Sequence, residues 1–201
     1  MGRILPIFIF IYKNDKIELV IFMDMKEKKI NSEVIYDGKI LTLVKDKVLC
    51  PNNEEAYREI VRHHGGAAIL VVNDKNEVLL IKQFRYAYDE IIYEIPAGKL
   101  ESNEDPYSAA MRELEEETGY KAKELISLGV IYPTCGYSSE KIHLYLAKGL
   151  SLGKIHLDDD EFIEPMFIPM DKVKKMIINN EIKDAKTICA ISNYLLMNEN
   201  N

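Results

Sequence analysis

The hydrophobic pattern in the middle of the chain predicts two neighbouring β-strands. Ala67–Val72 and Val78–Phe84 are apolar runs rich in β-branched residues, and the polar segment Asn73–Asn76 separates them. Short apolar runs of this kind favour strands, and a polar turn between two such runs is typical of a hairpin. We therefore expect these two runs to lie in the core and to pair with each other.

The pattern changes to a helical period after residue 104. Asp105 is a good capping residue, and Pro106 suits the first position of a helix because its missing N–H has no partner there. The helical pattern runs to Thr118, and Gly119 suits the position after a helix end. These signals predict a helix from Pro106 to Thr118.

The rest of the chain predicts a mixture of strands and helices. Residues 33–63 are expected to form short strands with a turn at Asp37-Gly38. Strands and helices in mixed order indicate an α+β or α/β/α layered domain. The further elements expected are strands at Ile91–Ile95, Leu125–Tyr132, Lys141–Ala147 and Phe162–Ile168, and helices at Asp171–Asn179 and Ala185–Leu196.

Two apolar runs at the N-terminus, Ile4–Tyr12 and Ile17–Met23, flank Asn14-Asp15 and could form a hairpin. Neither reaches the roughly 20 residues that a transmembrane helix needs. We divide the chain into an N-terminal extension (1–25), an N-terminal β region (26–64) and a main domain (65–201). Whether the extension belongs to the fold is left open at this point.

Composition and charge exclude several classes of protein. The chain has 201 residues, of which 47% are hydrophobic and 29% charged, with a net charge of −7. This balance favours a globular protein and argues against a nucleic-acid binder, which usually has a basic face. Cys50, Cys135 and Cys189 have no paired or metal-ligand spacing, which favours reduced thiols in a cytoplasmic protein without a zinc site.

Three carboxylates are expected at one end of the predicted helix. Glu113, Glu116 and Glu117 are three or four residues apart, so they share a helix face near its C-terminus. Negative charges repel each other there and oppose the helix dipole. A compensating cation would relieve both effects, and carboxylate oxygens suit Mg²⁺ or Mn²⁺. The alternative is a solvated acidic helix face with intrahelical pairing to Arg112.

The spacing around this helix resembles the Nudix box. Gly98, Glu104 and Arg112–Gly119 occupy its fixed positions within the 23 residues from 98 to 120, and only Tyr120 departs, where an aliphatic residue is commoner. The resemblance extends to the ADP-ribose pyrophosphatase branch of the Nudix family. It is carried there by Arg58-Glu59, Gly65–Val71, Gln83–Arg85 and Glu94–Gly98.

The resemblance implies a Nudix α/β/α sandwich with a mixed sheet and a small N-terminal β region. In this branch that region is exchanged between the subunits of a homodimer. Glu113, Glu116, Glu117 and the carbonyl of Ala97 would bind Mg²⁺ or Mn²⁺. Arg112, with Glu104 in support, would orient these carboxylates, and Arg112 and Glu116 count among the catalytic residues.

The resemblance also implies a general base on a later acidic loop, residues 158–164. Glu161 is our first choice for this base and Glu164 the second. The substrate-binding residues would be Arg58, Arg85, Gly136, Glu140 and Glu59, where Glu59 could instead hold Arg58. One departure is Cys135, which stands where this branch usually has proline.

The expected activity is metal-dependent hydrolysis of the diphosphate bond of a nucleoside diphosphate sugar, with ADP-ribose giving AMP and ribose 5-phosphate. The small-molecule substrate leaves no role for nucleic acid or membrane. Alternatives are another Nudix substrate, such as GDP-mannose, NADH or another dinucleotide, and a Nudix domain that senses a nucleotide without hydrolysing it. A purely structural domain leaves the box unexplained.

Overall fold

The computed structural model of the protein describes residues 7–13, 16–22, 24–157 and 161–199. The chain forms two compact units, and the division falls between Arg62 and His63. The finer domain division at residues 25 and 64 stays a prediction. In the part of the chain that the structure describes, no helix is long and apolar enough to cross a membrane.

The N-terminal unit consists of antiparallel strands. Strands β1 (Ile7–Lys13) and β2 (Lys16–Phe22) pair with each other, as expected for a hairpin, although its turn at Asn14-Asp15 lies outside the described residues. A separate sheet has the order β3-β4-β5. Its strands are β3 (Lys28–Asp37), β4 (Thr42–Leu49) and β5 (Glu55–Arg62).

The C-terminal unit contains nine strands among its described residues, in three sheets. A mixed sheet has the order β11-β12-β6-β9, in which β12 and β6 are parallel; β14-β7-β8 is antiparallel, and β10 pairs with β13. These strands are β6 (Gly66–Val71), β7 (Glu77–Arg85), β8 (Glu90–Glu94), β9 (Ala97–Lys99), β10 (Tyr120–Lys121), β11 (Glu124–Ile131), β12 (Ile142–Lys148), β13 (Ser151–Leu152) and β14 (Ile163–Pro169).

The predicted pairing of the two central apolar runs is wrong, although both runs are strands. Strand β6 lies in the mixed sheet between β12 and β9, and β7 lies between β14 and β8. Only the bridge between Val72 and Val78 joins the two runs. The turn after Val72 therefore carries the chain from one sheet to the other, and each strand finds its partners far along the sequence.

The core lies on both faces of strand β6. Ala68 and Leu70 contribute to one buried cluster, whereas Ala67, Ile69 and Val71 contribute to a second cluster. Successive side chains of a strand point to opposite faces, so a strand buried on both faces must be apolar throughout. This is why β6 has no polar alternation.

Among the described residues, three helices cover these clusters: α1 (Pro106–Thr118), α2 (Met170–Ile178) and α3 (Ala185–Glu199). Ala109, Ala110 and Leu114 of α1 pack into the second cluster, and residues of α2 and α3, such as Val173 and Ile191, pack into the first. Helices on the two sides of β6 confirm the predicted α/β/α layering.

Helix α1 begins and ends as its sequence predicts. The Asp105 side chain accepts a hydrogen bond from the Ser108 N–H, and Pro106 is the first helical residue. The helix ends at Gly119, whose φ of 70° is left-handed and favours glycine. The capping residues therefore fix the ends of α1 and place the acidic residues in its C-terminal turns.

Candidate active site

The three box carboxylates lie in the last turns of α1. The Glu117 side chain is buried, with 3% of the residue exposed, because it faces the core side of the helix. The Glu113 side chain is largely buried, and that of Glu116 is partly exposed. Burial of two carboxylates one helical turn apart costs free energy unless positive charge or hydrogen-bond donors compensate it.

Arg112 supplies part of that compensation. Its guanidinium lies 2.9 Å from Glu113 Oε1 and 2.7 Å from Glu116 Oε2, and its Nε donates to Glu104 Oε1 at 3.0 Å. Glu104 also accepts a hydrogen bond from the Glu101 N–H, which ties the loop before α1 to the same cluster. Arg112 therefore holds the acidic side chains in place from within the protein.

The backbone of strand β9 lies close to the carboxylates. The Ala97 N–H donates to Glu117 Oε2 at 2.9 Å. A side chain at Gly98 would place its Cβ 1.9–2.3 Å from the carboxyl atoms of Glu113. Residue 98 must therefore be glycine for the Glu113 carboxylate to lie against the backbone of β9.

The surroundings of Glu113 and Glu117 disfavour the charged form of each carboxyl group. Burial raises the pKa of Glu113 to about 7, although the Arg112 charge opposes this and the charges of Glu116 and Glu161 add to it. Burial likewise raises the pKa of Glu117 to about 8, against the hydrogen bond from Ala97, with Glu113 and Glu161 adding to the shift. Such perturbed groups cluster at functional sites.

The two candidate bases lie in different surroundings. The Glu161 carboxylate is close enough to Glu113 and Glu117 to raise the pKa of both. Glu164 lies on β14, where it is 3.6 Å from Lys82 Nζ and its side chain is 71% exposed. The structure thus brings Glu161 to the acidic cluster and pairs Glu164 with a lysine. The predicted loop positions Asp158–Asp160 lie outside the described residues.

The donor set suits a hard divalent cation. In residues 24–157 and 161–199, no three Asp, Glu, His or Cys side chains are grouped closely enough to hold an ion. Arg112 contacts Glu113 and Glu116, whereas the Ala97 N–H binds Glu117. These carboxylates therefore face different partners rather than one shared point. The carboxyl oxygens still outnumber the cationic groups beside them, and oxygen-rich anionic sites favour Mg²⁺ or Mn²⁺.

Arg85, predicted to bind substrate, pairs with a buried acid, Glu94, to which the sequence analysis assigned no role. Its Nε and one terminal nitrogen donate to the two oxygens of Glu94, at 2.5 and 2.8 Å. Glu94 is 1% exposed and also accepts a hydrogen bond from Lys186 Nζ. Burial would raise the pKa of Glu94, but the Arg85 hydrogen bond and the Lys186 charge outweigh burial and lower it.

Lys186 had no signal in the sequence, because 92 residues separate it from Glu94. An isolated lysine in the first turn of a predicted amphipathic helix normally faces solvent. Here it is buried because Glu94 and Asp184 both contact its ammonium group.

Arg58 and Glu59 belong to strand β5 of the N-terminal unit. The Arg58 guanidinium pairs with Glu27, and its Nε–Oε2 distance is 3.0 Å. The structure therefore pairs Arg58 with Glu27 rather than with Glu59, which lies opposite Lys45 in the sheet and is exposed. The substrate-binding roles of both residues stay predictions.

Gly136 and Glu140 lie in the loop between β11 and β12. The Gly136 Cα faces open space, and neighbouring Cys135 is exposed with a free thiol. Glu140, together with Thr134 of the same loop, lines a cavity of about 480 Å³ whose other wall includes Asp184 and Lys186. A larger cavity, of about 650 Å³, is lined by Glu161, Phe162, Lys82, Phe84 and Tyr93.

Comparison with known proteins gives matches over most of the chain. The model of the NUDIX domain matches residues 62–190. The chain is 43% identical over 177 residues to the ADP-ribose pyrophosphatase of Bacillus subtilis (strain 168), a match covering 87% of this chain and 95% of that protein. It is 40% identical over 176 residues to the methanol dehydrogenase activator of Bacillus methanolicus, with the same coverage of 87% and 95%.

A solved structure described as an ADP compounds hydrolase shares the fold, with a TM-score of 0.76 at 20% identity, over 87% of this chain and 95% of that one. The family model spans the acidic cluster, β9 and the first turn of α3, and the relatives match at nearly their full length. On these grounds the chain belongs to the Nudix family.

Proposed function

We propose that this protein is a divalent-metal-dependent hydrolase that cleaves the diphosphate bond of a nucleoside diphosphate sugar. The proposed reaction converts ADP-ribose and water into AMP and ribose 5-phosphate. The observation that carries the proposal is the pair of carboxylates, the largely buried Glu113 and the buried Glu117, that lie against the backbone of β9 at Ala97 and Gly98. The match to a relative named ADP-ribose pyrophosphatase supports the choice of substrate.

Glu113, Glu116, Glu117 and the carbonyl oxygen of Ala97 would hold Mg²⁺ or Mn²⁺. When bound, the cation would neutralise charge on the diphosphate oxygens and lower the pKa of a water molecule. Arg112 contributes by keeping Glu113 and Glu116 in fixed positions through its charge-assisted contacts.

Glu161 is the proposed general base. Its carboxylate, beside Glu113 and Glu117, would accept a proton from the attacking water while a phosphorus–oxygen bond of the diphosphate breaks. Glu164 has Lys82 beside it on an exposed strand position, and this contact favours Glu161 for the role.

The substrate would lie next to the acidic cluster and contact residues from several elements. Arg85 and Arg58 are the proposed contacts to the phosphates or the terminal ribose. Two nitrogens of each guanidinium already bind Glu94 or Glu27, so each arginine would offer its remaining N–H groups to an oxyanion. Gly136 and Glu140 would contribute to the pocket for the sugar, and Glu140 already lines a cavity. Glu59 is proposed as a contact to the base.

We further propose a cytoplasmic homodimer in which the N-terminal β region, residues 26–64, is exchanged between subunits. Strand β3 of this region exposes large apolar side chains, among them Ile30, Val34 and Ile35. Exposed apolar patches of this kind are common at protein interfaces. Light scattering of the purified protein would give the mass of two chains.

The test of the proposed function is product analysis with Mg²⁺, with Mn²⁺ and with a chelator. The substrate panel contains ADP-ribose, GDP-mannose, NADH, diadenosine polyphosphates and nucleoside triphosphates. We expect metal-dependent release of AMP and ribose 5-phosphate from ADP-ribose at the highest kcat/KM. Faster cleavage of another compound would overturn the choice of substrate, and no metal-dependent turnover of any compound would overturn the enzyme assignment.

A further inference from the structure

The first turn of α3 contacts Glu94 and Ile95, in the segment that leads to the acidic site. Asp184, directly before the helix, accepts hydrogen bonds from the backbone N–H of Thr187 at 3.0 Å and from its hydroxyl at 2.5 Å. These contacts are those of a helix N-cap, and they fix the orientation of the Thr187 side chain. Thr187 is 0% exposed.

The same turn contacts the end of β8 through two groups. Thr187 Oγ1 accepts a hydrogen bond from the Ile95 N–H at 2.8 Å. Lys186 Nζ contacts the Glu94 carboxylate and lies 3.0 Å from Asp184 Oδ1. We name this set of residues, Glu94 and Ile95 with Asp184, Lys186 and Thr187, the α3 clamp.

The α3 clamp lies only two residues from the backbone that meets the metal ligands. Ile95 is followed by Pro96, whose carbonyl accepts from the Ile69 N–H at 2.8 Å, and then by Ala97, whose N–H bonds Glu117. With Ile95 held by α3 and Pro96 held by β6, little backbone freedom remains at Ala97. A polar network that is satisfied throughout and buried in this way rigidifies its surroundings.

From this geometry we propose that the α3 clamp is a positioning device for the metal site, with Thr187 and Lys186 as its positioning residues. Neither side chain hydrogen-bonds a proposed metal ligand; they act through Ile95 and Glu94 on the Ala97 backbone. Groups that hydrogen-bond metal ligands directly change metal affinity or activity by roughly 10- to 100-fold when they are replaced. The α3 clamp acts through the backbone from Ile95 to Ala97, so we expect an effect at the lower end of that range. The inference rests on the metal-dependent function proposed above.

The test compares Thr187→Val with Thr187→Ser in the full chain, with Mn²⁺ as the probe and no substrate present. Valine keeps the shape of the side chain but leaves the Ile95 N–H without its acceptor, whereas serine keeps the hydroxyl. Mn²⁺ affinity is measured by electron paramagnetic resonance. We expect Thr187→Val to weaken Mn²⁺ binding about tenfold or more, and Thr187→Ser to bind Mn²⁺ like the wild type.

A second measurement is hydrogen exchange of the metal-free protein in the peptide covering residues 95–98. Exchange there should accelerate in Thr187→Val and not in Thr187→Ser. A matched control is Ile191→Val, one turn further along α3, which removes a buried methyl group from the core and no hydrogen bond of the clamp. It should lower the unfolding temperature and leave the Mn²⁺ affinity at the wild-type value.

Two results would overturn the α3 clamp: a folded Thr187→Val protein with wild-type Mn²⁺ affinity and exchange, or an equal loss of affinity in Ile191→Val. If Thr187→Val does not fold, Lys186→Met and Lys186→Arg replace the pair; only the methionine variant should lose affinity, and equal affinities would overturn the proposal. Mn²⁺ binding by the wild type that is not reduced in Glu117→Gln would instead overturn the metal site of the proposed function.

Discussion

At the residue scale, the chemistry depends on carboxylates whose surroundings differ. Glu117 is buried and accepts a hydrogen bond from a backbone N–H, Glu113 is largely buried beside Arg112, and Glu116 is partly exposed. The proximity of negative charges in a partly water-excluded site raises the free energy of the metal-free form. The binding free energy of a cation would therefore be more favourable there than at an exposed acidic patch.

Glu117→Gln should abolish most of the activity while the fold remains. Glutamine can still accept the Ala97 N–H hydrogen bond through its amide oxygen, but it removes the buried charge that would bind the metal. We expect kcat to fall by about 10²- to 10³-fold. Because burial raises the pKa of Glu117 to about 8, its carboxyl is mostly protonated at neutral pH without metal, so the neutral glutamine should leave the unfolding temperature of the metal-free protein nearly unchanged. Unchanged turnover in a folded variant would remove Glu117 from the site.

Glu161→Gln and Glu164→Gln form a matched pair that tests the general base. Loss of the base should lower kcat by roughly 10²- to 10⁴-fold with little change in KM. The charge of Glu161 raises the pKa of both Glu113 and Glu117, whereas Glu164 pairs with Lys82, so we expect this loss in Glu161→Gln and not in Glu164→Gln. Steady-state kinetics on ADP-ribose identify the general base. A fall in kcat confined to Glu164→Gln would assign this role to Glu164.

At the element scale, the site is a contact between the end of α1 and the short strand β9. The helix brings the carboxylates together through its period, and the strand brings the Ala97 N–H and the side-chain-free Gly98. Neither element makes a site alone. Strand β9 is held in turn by its antiparallel pairing with β6, in which Ala97 lies opposite Ala68.

Gly98→Ala tests this contact between elements. The new Cβ would collide with the Glu113 carboxylate, which can move because it is the flexible end of a side chain. We therefore expect a small change in unfolding temperature, a loss of activity of about tenfold or more, and weaker Mn²⁺ binding. Circular dichroism and a Mn²⁺ titration check the two effects. Wild-type activity would mean that the position of Glu113 is not required.

At the scale of the whole molecule, the described acidic cluster lies entirely in the C-terminal unit, residues 63–201. The hairpin of β1 and β2 lies in the other unit. The N-terminal β region of that unit carries the predicted substrate contacts Arg58 and Glu59. The two parts of the N-terminal unit are therefore expected to differ in their importance for activity.

Deletion of residues 1–23 should leave the rate of AMP release and the dimeric mass unchanged. The deleted segment contains no residue of the acidic cluster and none of the proposed substrate contacts. Light scattering gives the mass, and an assay with ADP-ribose and Mg²⁺ gives the rate. A monomeric and inactive product would show that the hairpin is needed for assembly of the enzyme.

Features that depend on local spacing could be predicted from the order of the amino acids. Helix α1 begins at Pro106 and ends before Gly119 because the cap residues favour those ends, and its period places Glu113, Glu116 and Glu117 together. The Nudix family follows from the same short segment, and the family model confirms it. Strands such as β6 were also predictable, because apolar β-branched runs favour burial in a sheet.

Contacts between distant parts of the chain became visible only in the folded protein. Strand β6 pairs with β12 and β9 rather than with β7, since sheet partners are chosen by packing of whole layers and not by the intervening turn. The Ala97–Glu117 bond and the Thr187–Ile95 bond span 20 and 92 residues. No local rule relates such positions, because the free energy that brings them together comes from burial of the core between β6, α1 and α3.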